Sequence, residues 1–199
     1  MEIYLIRHTA PDVAKGICYG QADVGVKETF LAEAGIIKKH LPPYIKTVYS
    51  SPLQRCKLLA QHLFASHKIN LHEGLKEINC GAWELKAWND LPKEEVEPWV
   101  NNLSVRMPQG ESYEDVYERV KHTFQHIHTQ PAPMAIVAHG GVIRSILAHI
   151  TNTALKDSFK VFSLNYGCVI KIENTAEGLR HIVLSNIAGE KETHKPSNL

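Results

Sequence analysis

Arg7-His8, Arg55 and His139-Gly140-Gly141 are the residues of this chain whose types together could do chemistry. Two arginines are excessive for one carboxylate but suit a dianionic phosphoryl group, whose oxygens accept their forked donors. A neutral imidazole beside such a clamp can attack phosphorus and form a covalent intermediate. A second histidine can hold an equatorial oxygen, since phosphoryl transfer depends mainly on positioning and on stabilising the charge of the transferring group. Gly140 and Gly141 let backbone come close to a ligand, and a helix following them offers unpaired N–H groups to an anion. Such an arrangement needs no metal and no cofactor.

These side chains can act together only if the fold brings them together. Short β-rich runs alternate with helical stretches, which argues for an α/β sheet protein. Strands are expected at residues 2–6, 46–49, 135–138, 167–173 and 179–185. Ile3-Tyr4-Leu5-Ile6 and Ile136-Val137-Ala138 are apolar on both faces, as central strands covered on both sides are. The last two strands flank a natural turn at 174–178 and predict an antiparallel hairpin.

Tyr113, Val116, Tyr117, Val120, Phe124 and Ile127 fall on one helical stripe, with Ser112 as N-cap and Asp115 in an acidic first turn. Val142, Ile143, Ile146, Leu147 and Ile150 make a second stripe. A third helix is expected to begin at Ser51-Pro52-Leu53-Gln54, with Ser51 as N-cap, Pro52 at the first helical position and Gln54 closing a capping box. Ligands of open parallel sheets bind outside the carboxyl ends of the strands. If the three strands leading to His8, Arg55 and His139 are neighbours, both histidines and both arginines meet at one edge.

The 199 residues are enough to bury a core as one domain, and 44% hydrophobic with 22% charged residues is the composition of an ordinary soluble protein. The formal net charge of +1 gives no basic field for nucleic acid, so a charged ligand must be held by a local cluster. No apolar run approaches the ~20 residues of a membrane-spanning helix. Met1 to His8 lacks the features of a signal peptide and reads as a strand.

The four cysteines (Cys18, Cys56, Cys80, Cys168) show no zinc or C-x-x-C spacing and are expected as reduced thiols in a cytoplasmic protein. His122 and His126 have an i, i+4 spacing, but they lie off the apolar stripe and are expected on a solvated helix face rather than on a metal. One domain is expected over 1–188, with 84–110 an irregular insertion carrying short helices and 189–199 a polar, flexible tail. Trp83, Trp88 and Trp99 are expected to serve packing.

Five segments then match one family in order: Arg7-His8; Ser50-Ser51-Pro52-Leu53-Gln54-Arg55; Leu75 to Glu84; Pro108-Gln109-Gly110-Glu111-Ser112; and Ala138-His139-Gly140-Gly141. The chain resembles the histidine phosphatase superfamily, also called phosphoglycerate-mutase-like, from Met1 to about Asn186. Within it, Arg7 to Pro11, Gly16 to Val24 and Ser51 to Cys56 are most similar to the α-ribazole phosphatase group.

The resemblance implies a three-layer α/β/α sandwich with a mostly parallel central sheet and a phosphomonoesterase acting on a small phosphorylated metabolite. It points to α-ribazole 5′-phosphate of cobalamin nucleotide-loop assembly. A broad-specificity phosphatase or a mutase-type isomerase are its alternatives, and a non-catalytic phospholigand-binding module is the weakest. It also implies His8 as nucleophile, Arg7, Arg55 and His139 on the phosphoryl oxygens, and Glu77 as general acid and base. The residues alone leave Glu73, Glu77 and Glu84 open for that last role. Gln21 and Gly140 are expected as further phosphate contacts. Ala14 stands where many members carry a phosphate-contacting asparagine.

Overall fold

The computed structural model describes residues 2–131, 133–176 and 178–187. Strands β1 (Glu2–Arg7), β2 (Thr47–Ser50), β3 (Ile69–Leu71), β4 (Met134–Ala138), β5 (Val169–Thr175) and β6 (Gly178–Ser185) form one sheet in the order β3-β2-β4-β1-β5-β6. β1, β2 and β3 join through β4 and β2 in parallel pairs, whereas β5 lies antiparallel to β1 and β6 antiparallel to β5. The mostly parallel sheet and its terminal hairpin are therefore as expected from sequence, with the hairpin turning between Thr175 and Gly178.

Alternation along β1 sorts the core into two layers. Ile3 and Leu5 pack with Val116, Val120 and Phe124 of α4 (Tyr113–Ile127) and with Val142, Ile143 and Ile146 of α5 (Gly140–Ile150). Tyr4 and Ile6 pack on the opposite face with Ala34 and Ile37 of α1 (Phe30–Lys38) and with Cys56, Leu59 and Ala60 of α2 (Gln54–Leu63). Helices on both faces of one sheet make the α/β/α sandwich.

The 84–110 stretch carries α3 (Lys93–Asn101), and α6 (Leu155–Val161) follows α5. Trp83, Trp88 and Trp99 are buried against one another at ring-centroid separations of 5.6 to 6.2 Å, a packing role. Ser112 caps α4 by accepting from the Asp115 N–H, and the Asp115 carboxylate accepts from the Ser112 N–H. His122 and His126 are exposed. The four cysteines are free and buried. The tail at 189–199 lies outside the described residues.

The start of α2 differs from expectation. Its N-cap is Leu53, without a side-chain cap, and Gln54 closes no capping box. The Ser51 hydroxyl instead accepts from the Leu53 N–H at 3.3 Å and pairs with His139 Nε2 at 2.8 Å. The Gln54 N–H donates to Asp23 Oδ1 at 2.6 Å, so a carboxylate distant in sequence caps the helix.

Candidate active site

Three neighbouring strand ends assemble the site. Arg7 ends β1 opposite Ala138 of β4, and Ser50 ends β2 opposite Val137 of β4. The His8 N–H donates to the Ala138 carbonyl at 3.1 Å and the Ser51 N–H to the Val137 carbonyl at 3.0 Å, which prolongs both pairings past the strands. His139 is the N-cap of α5, and its ring lies 5.1 Å, centroid to centroid, from that of His8.

His8, Arg55 and His139 are almost wholly buried, and Arg7 nearly so. Arg7, His8, Arg55, Glu77, Gly140 and Gly141 all line one cavity of about 800 Å³. His139 does not line this cavity; its ring lies against the Ser51 hydroxyl and the Cys56 thiol.

The His8 ring is oriented by one hydrogen bond. Its Nδ1 lies 2.7 Å from the Thr9 carbonyl, which can only accept, so Nδ1 carries the ring proton. In the neutral ring Nε2 then keeps its lone pair. Burial first, then Arg55 and Arg7, pushes His8 well below the ordinary histidine value, and the carbonyl bond opposes this only in part. His139 is pushed down by burial and by Arg55, His8 and Arg7.

The arginines are fixed by backbone carbonyls. Arg55 donates from Nη1 to Ala22 O at 3.0 Å and from Nη2 to Gly20 O at 2.6 Å, while Arg7 donates from Nη1 to Leu164 O at 2.5 Å. The Arg7 guanidinium also lies 4.1 Å from the centroid of the Tyr166 ring. The loop carrying Gly20 and Ala22 is itself braced by Glu84, whose carboxylate accepts from the backbone N–H groups of Gly20, Gln21, Ala22 and Cys80.

The structure distinguishes the three glutamates. Glu84 is occupied by that loop, and Glu73 is exposed and paired with Lys76. Glu77 alone of the three lines the cavity. Its Oε2 accepts from the Gly141 N–H at 3.0 Å and its Oε1 from the Ile78 N–H at 2.9 Å. The first donor is an orphan N–H at the start of α5, so the helix end fixes the carboxylate.

Two residues differ from the sequence reading. Gln21 does not line the cavity: its side-chain amide donates to the Glu77 carbonyl at 3.0 Å, and it braces the Glu77 backbone. Arg119 was missed. It makes a two-pronged pair with Glu111 at 2.8 and 2.9 Å and donates to the carbonyls of Gly74 and Lys76, holding the segment that carries Glu77. As a charged residue on an amphipathic helix it reads as solvated face; its place three residues after Val116, beside the apolar stripe, was the available signal. Among the described residues no group of three or more His, Cys, Asp or Glu is arranged to hold a metal ion.

The profile of the histidine phosphatase superfamily (branch 1) matches residues 3–187. The α-ribazole phosphatase of Shigella flexneri superposes with a TM-score of 0.84 at 22% identity, covering 96% of this chain and 100% of that one. A phosphoserine phosphatase mutant of Entamoeba histolytica, solved with phosphoserine, gives 0.76 at 19% identity over 92% and 95% of the two chains. At these identities the likeness is one of fold. An Arabidopsis thaliana 6-phosphofructo-2-kinase/fructose-2,6-bisphosphatase is 29% identical over 115 residues, which is 56% of this chain but 15% of that protein.

Proposed function

Because this chain belongs to the histidine phosphatase superfamily and its catalytic unit is that of a phosphoric monoester hydrolase, we propose that it works through a phosphohistidine on His8. The observation that carries this reading is the Nδ1–H bond of His8 to Thr9, which leaves Nε2 as the nucleophile between Arg7 and Arg55. Nε2 attacks phosphorus in line, the ester P–O bond breaks, and protonated Glu77 gives its proton to the leaving alkoxide. Glu77, now a carboxylate, takes a proton from water as the water oxygen attacks the phosphohistidine. Phosphate leaves and His8 is neutral again. Arg7 and Arg55 hold the equatorial oxygens throughout, the N-terminus of α5 at Gly140 adds backbone donors, and His139, whose Nε2 rests on the Ser51 hydroxyl in the ligand-free site, turns to a phosphoryl oxygen when the anion binds.

We further propose α-ribazole 5′-phosphate as the ester. The segments shared with the α-ribazole phosphatase group and the fold likeness to the Shigella flexneri enzyme support this choice. So does the wall beyond the phosphoryl site, where Trp88, Trp99, Tyr113, Phe159 and Phe162 line a cavity large enough for a ring-bearing leaving group. The test is phosphate release from a panel of monoesters. Preference for α-ribazole 5′-phosphate over phosphoserine and 3-phosphoglycerate supports the assignment; equal rates across the panel make the enzyme a broad-specificity phosphatase, and isomerisation without phosphate release makes it a mutase.

A further inference from the structure

Tyr19 and Tyr166 are 147 residues apart in sequence, yet their hydroxyls are hydrogen-bonded to each other at the wall of the cavity. Each ring sits against one arginine of the clamp. Arg7 Cζ lies 4.1 Å from the centroid of Tyr166, and Arg55 Cζ lies 5.5 Å from that of Tyr19. The Tyr166 ring is also 5.4 Å from the His8 ring, tilted by 43°. The pair therefore bridges the two arginines beside the nucleophile.

The Tyr166 loop is tied down on both sides. The Gly167 N–H donates to the His8 carbonyl at 3.0 Å, the Arg7 N–H to the Cys168 carbonyl at 3.0 Å, and the Asn165 N–H to Asn186 Oδ1 at 2.9 Å. Gly167 adopts φ +68°, a conformation that L side chains rarely reach, and so lets the chain turn directly behind His8. A hydroxyl carried on this loop keeps a fixed place relative to the His8 ring.

Two phenol hydroxyls hold two protons, and the bond between them uses one. When Tyr19 donates to Tyr166, the Tyr166 proton is left for a third acceptor. From the bridged pair we infer that Tyr166 is a phosphoryl-binding residue, its hydroxyl donating to an oxygen of the transferring group while Tyr19 orients it. The inference rests on the phosphatase reading above and adds a neutral donor to the two guanidinium groups.

The test compares Tyr166→Phe, Tyr166→Ala and Tyr19→Phe with the wild type, by kcat and KM on p-nitrophenyl phosphate and by calorimetric titration with inorganic phosphate. Tyr166→Phe keeps the ring over Arg7 and removes only the hydroxyl. A hydrogen bond to a charged oxygen is worth roughly a 10- to 100-fold change, so Tyr166→Phe should weaken phosphate binding and kcat/KM by that factor. Tyr19→Phe should cost less, since Tyr166 keeps its own proton, and it carries the test if Tyr166→Phe does not fold. Wild-type phosphate affinity and kcat/KM in Tyr166→Phe, with both lost in Tyr166→Ala, overturn the inference by reducing Tyr166 to a ring that packs on Arg7. A wild-type protein that neither binds phosphate nor hydrolyses any ester is a different result, which overturns the phosphatase reading and this inference with it.

Discussion

Replacing Gly141 with alanine tests how Glu77 is held. A Cβ on Gly141 would overlap Glu77 Oε1 and lie 3.2 Å from the carboxyl carbon and 3.5 Å from Oε2. The atoms in conflict are the far end of a flexible side chain, so the backbone can stay and the carboxylate must move. Gly141 lies within α5, where alanine is the better helix former by about 1 kcal/mol, so the unfolding midpoint should be unchanged or raised. Moving a catalytic group by ~1 Å costs on the order of 100-fold, and general acid catalysis as a whole contributes ~10²–10⁴-fold. Gly141→Ala should therefore lower kcat/KM for an alkyl phosphate by about 100-fold. For p-nitrophenyl phosphate, whose leaving group is stable as an anion, the loss should stay under about 10-fold because little protonation is needed. Steady-state kinetics on both esters with a thermal melt measures all three quantities. Equal losses on the two esters, or full activity on the alkyl ester, would refute the placement of Glu77 as the acid.

Two other predictions concern the supports of the site. Arg119→Ala should lower stability by ~2–4 kcal/mol, because it removes the ion pair with Glu111 and leaves three backbone carbonyls without this donor, and should lower kcat through a loosened Glu77 segment; an unchanged melting midpoint contradicts this. His8 and His139 are pushed well below their ordinary value near 6.5, so between that value and their folded values the unfolded state binds more protons. Stability of the ligand-free protein should thus rise with pH across that window and be lost as pH falls through it, and His8→Asn should flatten the slope of midpoint against pH; an unaltered slope argues against the burial of a neutral ring.

Much of the fold could be read from sequence where one face of an element is apolar. The stripes of α4 and α5 and the doubly apolar runs of β1 and β4 belong to this class; both strand runs are buried, and so are the stripes except for the partly buried Tyr113, Tyr117 and Ile150. α1 offered no stripe because Leu31 and Ile36 remain exposed while Ala34 and Ile37 face the core. β3 is three residues long at a sheet edge, with Leu71 half exposed, too short for alternation to register.

The start of α2 departs from its local pattern for a different reason. The local Ser-Pro-Leu-Gln pattern is a good cap, but His139 draws on Ser51 and Asp23 reaches the helix from another loop. The site divides in the same way. Arg7, His8 and His139 announce themselves at strand ends and at a glycine turn, and Arg55 at the start of the helix after β2, whereas the choice among Glu73, Glu77 and Glu84 depends on contacts to Gly141 and to the Gly20–Ala22 loop that no local pattern carries. Gln21 has the right chemistry for a phosphate donor, but its amide is drawn to the Glu77 carbonyl.

The central claim is that His8 Nε2 carries the phosphoryl group during turnover, and rapid quench with a labelled phosphate ester tests it most directly. The wild type should yield an acid-labile, base-stable label that maps to His8, and His8→Ala should show neither label nor turnover. A label that maps elsewhere, or wild-type turnover in His8→Ala, contradicts the account.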